Sequence, residues 1–188
     1  NAKNEVVSFY FRSTSSVKDQ RHFYLKNRQG LYPAYPNQKT RKLILTESVI
    51  DAATLYQIAP LREEYSILAL YGTNGLTAEH QQAIRQLGEL EEIVFAFDGD
   101  EAGRKAVAKY APLLQTEYPE LFISQLAMPQ GEDINSLAVR GPQVYWELLR
   151  SREACETFIS VENKMSSIEN KEIAIPVANV SAPKPKLV

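Results

Sequence analysis

The 188-residue chain is poor in soft metal ligands, with one cysteine, Cys155, and two histidines, His22 and His80. A lone thiol cannot close an internal disulfide, and these three residues cannot supply the four ligands of a structural zinc site, so no zinc is expected in this chain. Long apolar runs are also missing. Stretches such as IVFAF and LFISQLA fall far short of the roughly 20 apolar residues that a membrane-spanning helix needs. No basic-then-apolar leader opens the sequence, and together with the cysteine usage this predicts a cytoplasmic protein with no membrane association. The first residue is Asn1 rather than Met, and a strand-like run begins almost at once, which predicts a fragment of a longer protein.

What is present is enough for one sizeable core with a small second lobe: 44% of residues are hydrophobic and 10% aromatic. The formal net charge of −2 hides a segregation of sign along the chain. Residues 1–42 carry nine Lys/Arg against two acids, whereas residues 43–142 carry six against fifteen. Seven of the eighteen aromatics also fall in residues 1–42. Basic and aromatic residues interleaved in this way can hold a phosphate backbone and stack on bases, with Arg12, Arg21, Lys26 and Arg28 as the candidate contacts. A solvated β-hairpin with an aromatic inner face accounts for the same composition.

VVSFYFR (6–12) and HFYLK (22–26) are rich in β-branched and aromatic residues and predict an antiparallel pair. From Lys42 the texture changes. KLILT, YSILALY, EIVFAF and LFISQLA are nearly continuous apolar runs, as strands buried on both faces are. Between them, residues 48–58, 77–87 and 101–117 place apolar side chains at helical spacing, and Thr77 and Asp100 are suited to start helices. The alternation predicts an open, mostly parallel four-stranded α/β sheet flanked by helices and preceded by a small basic β subdomain. QGEDINS reads as a polar loop, residues from Pro142 to about Thr157 as a helix, and residues 161–188 as a linker or tail that contributes little to the fold. The domains expected are therefore 1–41, 42–140, a helix within 141–160, and the tail.

Three carboxylate groups follow apolar strands: Glu47 after KLILT, Asp98 and Asp100 after EIVFAF, and Glu132 with Asp133 after LFISQLA. Parallel strands deliver all three to one rim, where ligands of open α/β sheets gather. Hard oxygen donors without His or Cys suit Mg²⁺ or Mn²⁺. The glycine between Asp98 and Asp100 lets the backbone turn tightly while both acids reach one ion. Taken singly, each acid could be a helix cap or a surface residue. Gly72, Thr73 and Asn74 stand at another strand end, where amides and a hydroxyl could meet a phosphate. Arg104 and Lys105 could hold a nucleotide phosphate or pair with neighbouring acids. His80 and Trp146 with Tyr145 read as structural.

LILTESVIDAATLY, ALYGTNGLTAEHQQAI, IVFAFDGDEAGRKA and MPQGEDINSL together resemble the Toprim domain shared by primases, topoisomerases and some nucleases, and DGDEAGRKA with PQGEDINSL is most similar to the bacterial primase branch. Residues 5–41, including YFRS and HFYLKNRQGLYPAYP, resemble more weakly the end of the basic subdomain that precedes Toprim in those polymerases. The resemblance implies metal-dependent synthesis of RNA primers from ribonucleotides on single-stranded DNA during replication, with a replicative helicase or a zinc-binding domain as further partners. It places catalytic residues at Glu47, Asp98 and Asp100, and metal ligands at Glu47, Asp98, Asp100, Asp133 and Asn135. Many relatives carry an acid where Asn135 stands, and an amide oxygen brings no charge to a cation. A Toprim phosphodiesterase or topoisomerase-like cleavage activity, or a non-catalytic nucleic-acid-binding module of a mobile-element replication protein, remain alternative readings.

Overall fold

Two short strands, β1 (Tyr10–Arg12) and β2 (His22–Tyr24), pair antiparallel with Phe11 opposite Phe23, as their aromatic composition predicts. They belong to a computed structural model that describes residues 1–3, 5–14 and 22–155. Arg21 and residues 161–188, expected to be a nucleic-acid contact and a dispensable tail, lie outside the described residues.

The four continuous apolar runs form a parallel sheet from β3 (Lys42–Thr46), β4 (Ser66–Ala69), β5 (Glu92–Ala96) and β6 (Phe122–Gln125). Successive side chains alternate between faces, so each run must satisfy two apolar layers. Leu43, Leu45, Leu68, Ile93 and Phe95 pack in one cluster with Ile84 of α3 (Ala78–Arg85) and Val107 and Leu114 of α4 (Glu101–Glu117). Ile44, Ile67, Ala69, Val94 and Ala96 pack on the other face with α1 (Val49–Tyr56), α2 (Ala59–Glu64), α5 (Ile134–Ala138) and α6 (Gln143–Arg150). The helix starts read from the sequence, Thr77 and Asp100, are real caps and Ser48 is a third: each accepts a backbone amide of the following turn.

The sheet differs from expectation by one strand. β7 (Glu153–Ala154) pairs antiparallel with β6, giving the order β4-β3-β5-β6-β7. Two exposed residues carry no periodicity, so nothing in the sequence marks them as a strand. Just before them Arg152 is anchored: its guanidinium pairs with the buried Glu92 carboxylate, donates to the Leu149 carbonyl at 2.5 Å and lies 5.7 Å from the Phe122 ring centroid. This return to the sheet also ends α6 at Arg150, short of Thr157. The loop QGEDINS is partly helical, because Asp133 and Ser136 exchange side-chain-to-backbone hydrogen bonds and start α5.

Replacing Arg152 with Ala leaves the Glu92 carboxylate buried without its cation. With Arg152 only partly enclosed, the expected cost is about 2–3 kcal/mol, or a fall in Tm of about 4–12 °C. Thermal unfolding checks this, and a Glu92→Leu, Arg152→Leu pair should recover most of the loss because no charge is then stranded.

Strand order fixes where a ligand goes. From β3 the chain crosses one face to β4 at the edge, then returns through α3 over the other face to β5 on the opposite side of β3. Connections leaving β3 and β5 therefore diverge, opening a crevice between their carboxyl ends.

Candidate active site

Glu47 follows β3 and Asp98 follows β5, so the two neighbouring parallel strands bring them to this crevice. The Glu47 carboxylate accepts the Asp98 amide, yet its Oε2 is buried without a hydrogen-bond partner. Burial, with help from Asp100 and Asp51, pushes the Glu47 carboxyl up to about 7. Burial likewise raises Asp98 to about 7, reinforced by Glu47, Asp51, Asp133 and Asp100. Five acids thus sense one another across one rim, and their mutual repulsion is relieved by a proton or a cation.

Two close backbone approaches shape the Asp98-Gly99-Asp100 turn. The Gly99 amide donates to the Glu132 carbonyl at 2.8 Å, and the Gly99 carbonyl accepts the Gly131 amide at 2.9 Å. A Cβ at Gly99 would stand 1.9 Å from the Pro129 carbonyl oxygen. Gly103 lies under the same turn, where a Cβ would stand 2.2 Å from the Asp98 carbonyl oxygen. Asp100 caps α4 by accepting the Gly103 amide at 2.8 Å. The strap from Pro129 to Glu132 thereby locks the two acids against the loop that carries Asp133. Asp133 caps α5 through the Ser136 amide at 2.6 Å, while Glu132 pairs with Arg140 at 2.9 Å.

The sequence expectation is of two divalent ions held by Asp98, Asp100 and Asp133, with Glu47 as a further ligand or as a proton acceptor. Among the described residues, no three His, Cys, Asp or Glu side chains are grouped closely enough to cage an ion. Mg²⁺ does not require such a cage, since it commonly keeps several waters and binds one or two carboxylates together with substrate phosphates. Glu47 with its unpartnered oxygen, together with Asp98 and Asp100, fits an open hard-cation site of this kind. Asn135 is turned elsewhere: its amide donates to Asp51 at 2.9 Å and its oxygen accepts Thr54 Oγ1 at 2.5 Å. Its role in this structure is to position Asp51 rather than to offer a free oxygen.

Asp51 is the acid that sequence reasoning missed. It is buried, takes hydrogen bonds from Ser48 and Asn135, and its own carboxyl is raised by burial. The Ser48-x-x-Asp51 spacing, a capping pattern at the start of α1, was the available signal.

The expected phosphate cradle is largely engaged within the protein. The Gly72 amide donates to the Glu47 carbonyl at 3.0 Å, Asn74 accepts Lys109 at 2.9 Å, and Lys105 pairs with Glu101 at 2.6 Å. Thr73 lies in the same turn. Arg104 reaches back toward the Gly99 carbonyl at 3.4 Å and Gln130 at 3.3 Å, beside the acidic turn. Arg12 and Lys26 are exposed on the hairpin segment, and the Arg28 guanidinium lies 5.1 Å from both the Tyr24 and the Tyr71 ring centroids. His80 is fully buried, with Nδ1 beside Thr77 Oγ1 and Nε2 beside the Ala69 carbonyl, and Tyr145 is buried with its hydroxyl on the Ile134 carbonyl. Both are structural, as read from the sequence.

The chain is thus an α/β domain with acids at the switch point of a mostly parallel sheet, and the comparison with known families is specific. Residues 44–138 match the Toprim-like family, to which this chain belongs. It is 34% identical over 130 residues to the DNA primase of Chlamydia pneumoniae, a match covering 69% of this chain and 20% of that protein. The chain thus spans about a fifth of the length of this curated primase. Its fold is that of a DNA primase domain from Pseudomonas aeruginosa, with TM-score 0.62 and 20% identity over 91% of this chain and 53% of that one. It also matches a chain in the structure of bacteriophage T7 lagging-strand DNA polymerase interacting with primase domains bound to an RNA/DNA hybrid and dTTP. That match has TM-score 0.61 and 19% identity over 82% of this chain and 76% of that one. No helix among the described residues is long and apolar enough to cross a membrane.

Proposed function

We propose that this chain is the catalytic part of a DNA primase, which joins ribonucleotides on a single-stranded DNA template during replication in the presence of Mg²⁺ or Mn²⁺. The observation that carries the reading is the pair of half-buried carboxyls, Glu47 and Asp98, brought together at the switch point by neighbouring parallel strands, with one buried Glu47 oxygen lacking any partner. A divalent cation supplies charge neutralisation to the attacking and leaving oxygens of phosphoryl transfer. Asp98 and Asp100, with Asp133 on the adjoining loop, are the residues that would hold it.

In the reaction, a 3′-hydroxyl oxygen forms a bond to the α-phosphorus of the incoming ribonucleotide as the bond to the departing pyrophosphate breaks. The hydroxyl proton needs an acceptor. Glu47, at the rim with one oxygen unpartnered, would either join the acids as a metal ligand or take that proton. Arg104, beside the acidic turn and exposed, is placed to meet a nucleotide phosphate. A replicative helicase, and a zinc-binding domain elsewhere in the parent polypeptide, are the partners this reading implies.

Incubation with single-stranded DNA, ribonucleotides and Mg²⁺ or Mn²⁺ should yield short RNAs on a denaturing gel. No product with either metal, from protein that still melts cooperatively, overturns the reading. The basic hairpin segment should bind template through phosphates. Changing Arg12 and Lys26 to Gln should weaken single-stranded DNA binding and make the slope of log K against log salt shallower by about 1.4, roughly 0.7 per lost phosphate contact. Anisotropy titrations across salt concentrations measure both quantities.

A further inference from the structure

A cavity of about 400 Å³ lies between the amino-terminal segment and the start of α1, and the acid site does not use it. Its walls include the rings of Tyr10, Tyr24, Tyr32 and Tyr71, with Val49 on the side of the acid rim and Ala34 at an exposed edge. We infer that this cavity is a nucleobase subsite, which takes the base of a ribonucleotide whose phosphates lie toward the acid rim. The inference rests on the nucleotidyl-transfer reading of the neighbouring site and adds to it a place for the base.

Three features point to a planar, uncharged ring as occupant. The tyrosines form a connected aromatic wall, with ring centroids 5.2 Å apart for Tyr10 and Tyr24 and 5.5 Å for Tyr24 and Tyr71. That wall is held in place before any ligand arrives: the Tyr71 hydroxyl donates to the Gly30 carbonyl at 2.5 Å, and the Gly30 amide donates to Glu79 at 2.8 Å. Rigid rings stack on any base at little ordering cost, because every base presents a π face. The volume lies within the roughly 300–1,000 Å³ typical of small-ligand sites.

The cavity meets the start of α1: Val49 lines it, and Asp51, two residues on in the same helix, is held by Ser48 and Asn135 on the side of the acid rim. Arg28, whose guanidinium lies 5.1 Å from both the Tyr24 and the Tyr71 ring centroids, braces the aromatic wall from its outer side.

The test compares Mg²⁺-ATP with Mg²⁺-tripolyphosphate, which carries phosphates without a base, by calorimetry on the whole chain. The unaltered protein and Tyr24→Phe should bind ATP about tenfold tighter than tripolyphosphate, the scale of one base stacked on one ring. Tyr24→Leu should remove that gap and leave tripolyphosphate affinity unchanged. Ala34→Trp, at an exposed position where no core contact is lost, should also close the gap by filling the cavity. Equal ATP and tripolyphosphate affinities in the unaltered protein, or a gap that survives both Tyr24→Leu and Ala34→Trp, overturns the subsite. The two readings fail separately. RNA synthesis without a base-dependent gap removes the subsite alone, whereas a gap abolished by Tyr24→Leu in a protein that makes no RNA removes the polymerase reading alone.

Discussion

Asp98→Asn should lower primer synthesis by roughly 10²–10³-fold, the loss seen when a group that stabilises transition-state charge is removed. The same change should raise the stability of the metal-free protein at pH 8. The second expectation follows from the environment of the carboxyl, which burial and the acids around it raise from 3.8 to about 7. A carboxyl with a raised pKa in the folded state binds its proton more tightly there than in the unfolded chain. Its favourable contribution is therefore complete below about pH 4 and is lost as pH rises through 7. At full burial such a rise corresponds to about 4 kcal/mol, but solvent screening of a partly exposed group leaves about 1–2 kcal/mol. Glu47 adds an effect of the same sign.

The metal-free protein should accordingly melt at a lower temperature at pH 8 than at pH 5, by about 2–8 °C from Asp98 alone. Asp98→Asn should flatten that pH dependence, and added Mg²⁺ or Mn²⁺ should raise the Tm of the unaltered protein more than that of the variant. If Asp98 were merely a solvated surface acid, Asn would change neither the pH profile nor the metal response. Undiminished Mn²⁺ binding by an Asp98→Asn, Asp100→Asn double variant in calorimetry would sink the site.

Gly99→Ala should damage the fold and the site together. A methyl 1.9 Å from the Pro129 carbonyl oxygen cannot be accommodated without moving the strap that spans Pro129 to Glu132. That strap also supplies the 2.8 Å hydrogen bond to the Gly99 amide and accounts for the placing of Asp133. Backbone has less freedom to yield than a side chain, so the expected cost lies at the upper end for overpacking, about 3 kcal/mol, or about 6–12 °C in Tm. Because the turn aims both Asp98 and Asp100, metal stabilisation should fall even at temperatures where the variant is folded. A variant with unchanged Tm and an unchanged metal response would show that the turn is not under this constraint.

The parts of the molecule that the sequence by itself determined are those whose signal is local. KLILT, YSILALY, EIVFAF and LFISQLA declare two-sided strands because their apolar runs are continuous, and Thr77 and Asp100 declare helix starts because a short polar side chain there satisfies a free amide. Glu47, Asp98, Asp100 and Asp133 were legible as a rim set because parallel strands must all end on the same side. Tertiary structure decided what depends on partners far away in the chain. Strand β7 is defined by its pairing with β6, about 30 residues earlier, and Arg152 beside it pairs with Glu92, 60 residues away. Asn135 is committed to Asp51 and Thr54, more than 80 residues away, and the Gly72 amide to the Glu47 carbonyl. Asp51 joins the acid cluster because the fold buries it there. Periodicity and caps are set by neighbours within a few residues, whereas hydrogen-bond commitments and desolvation depend on which distant groups the packed chain brings near.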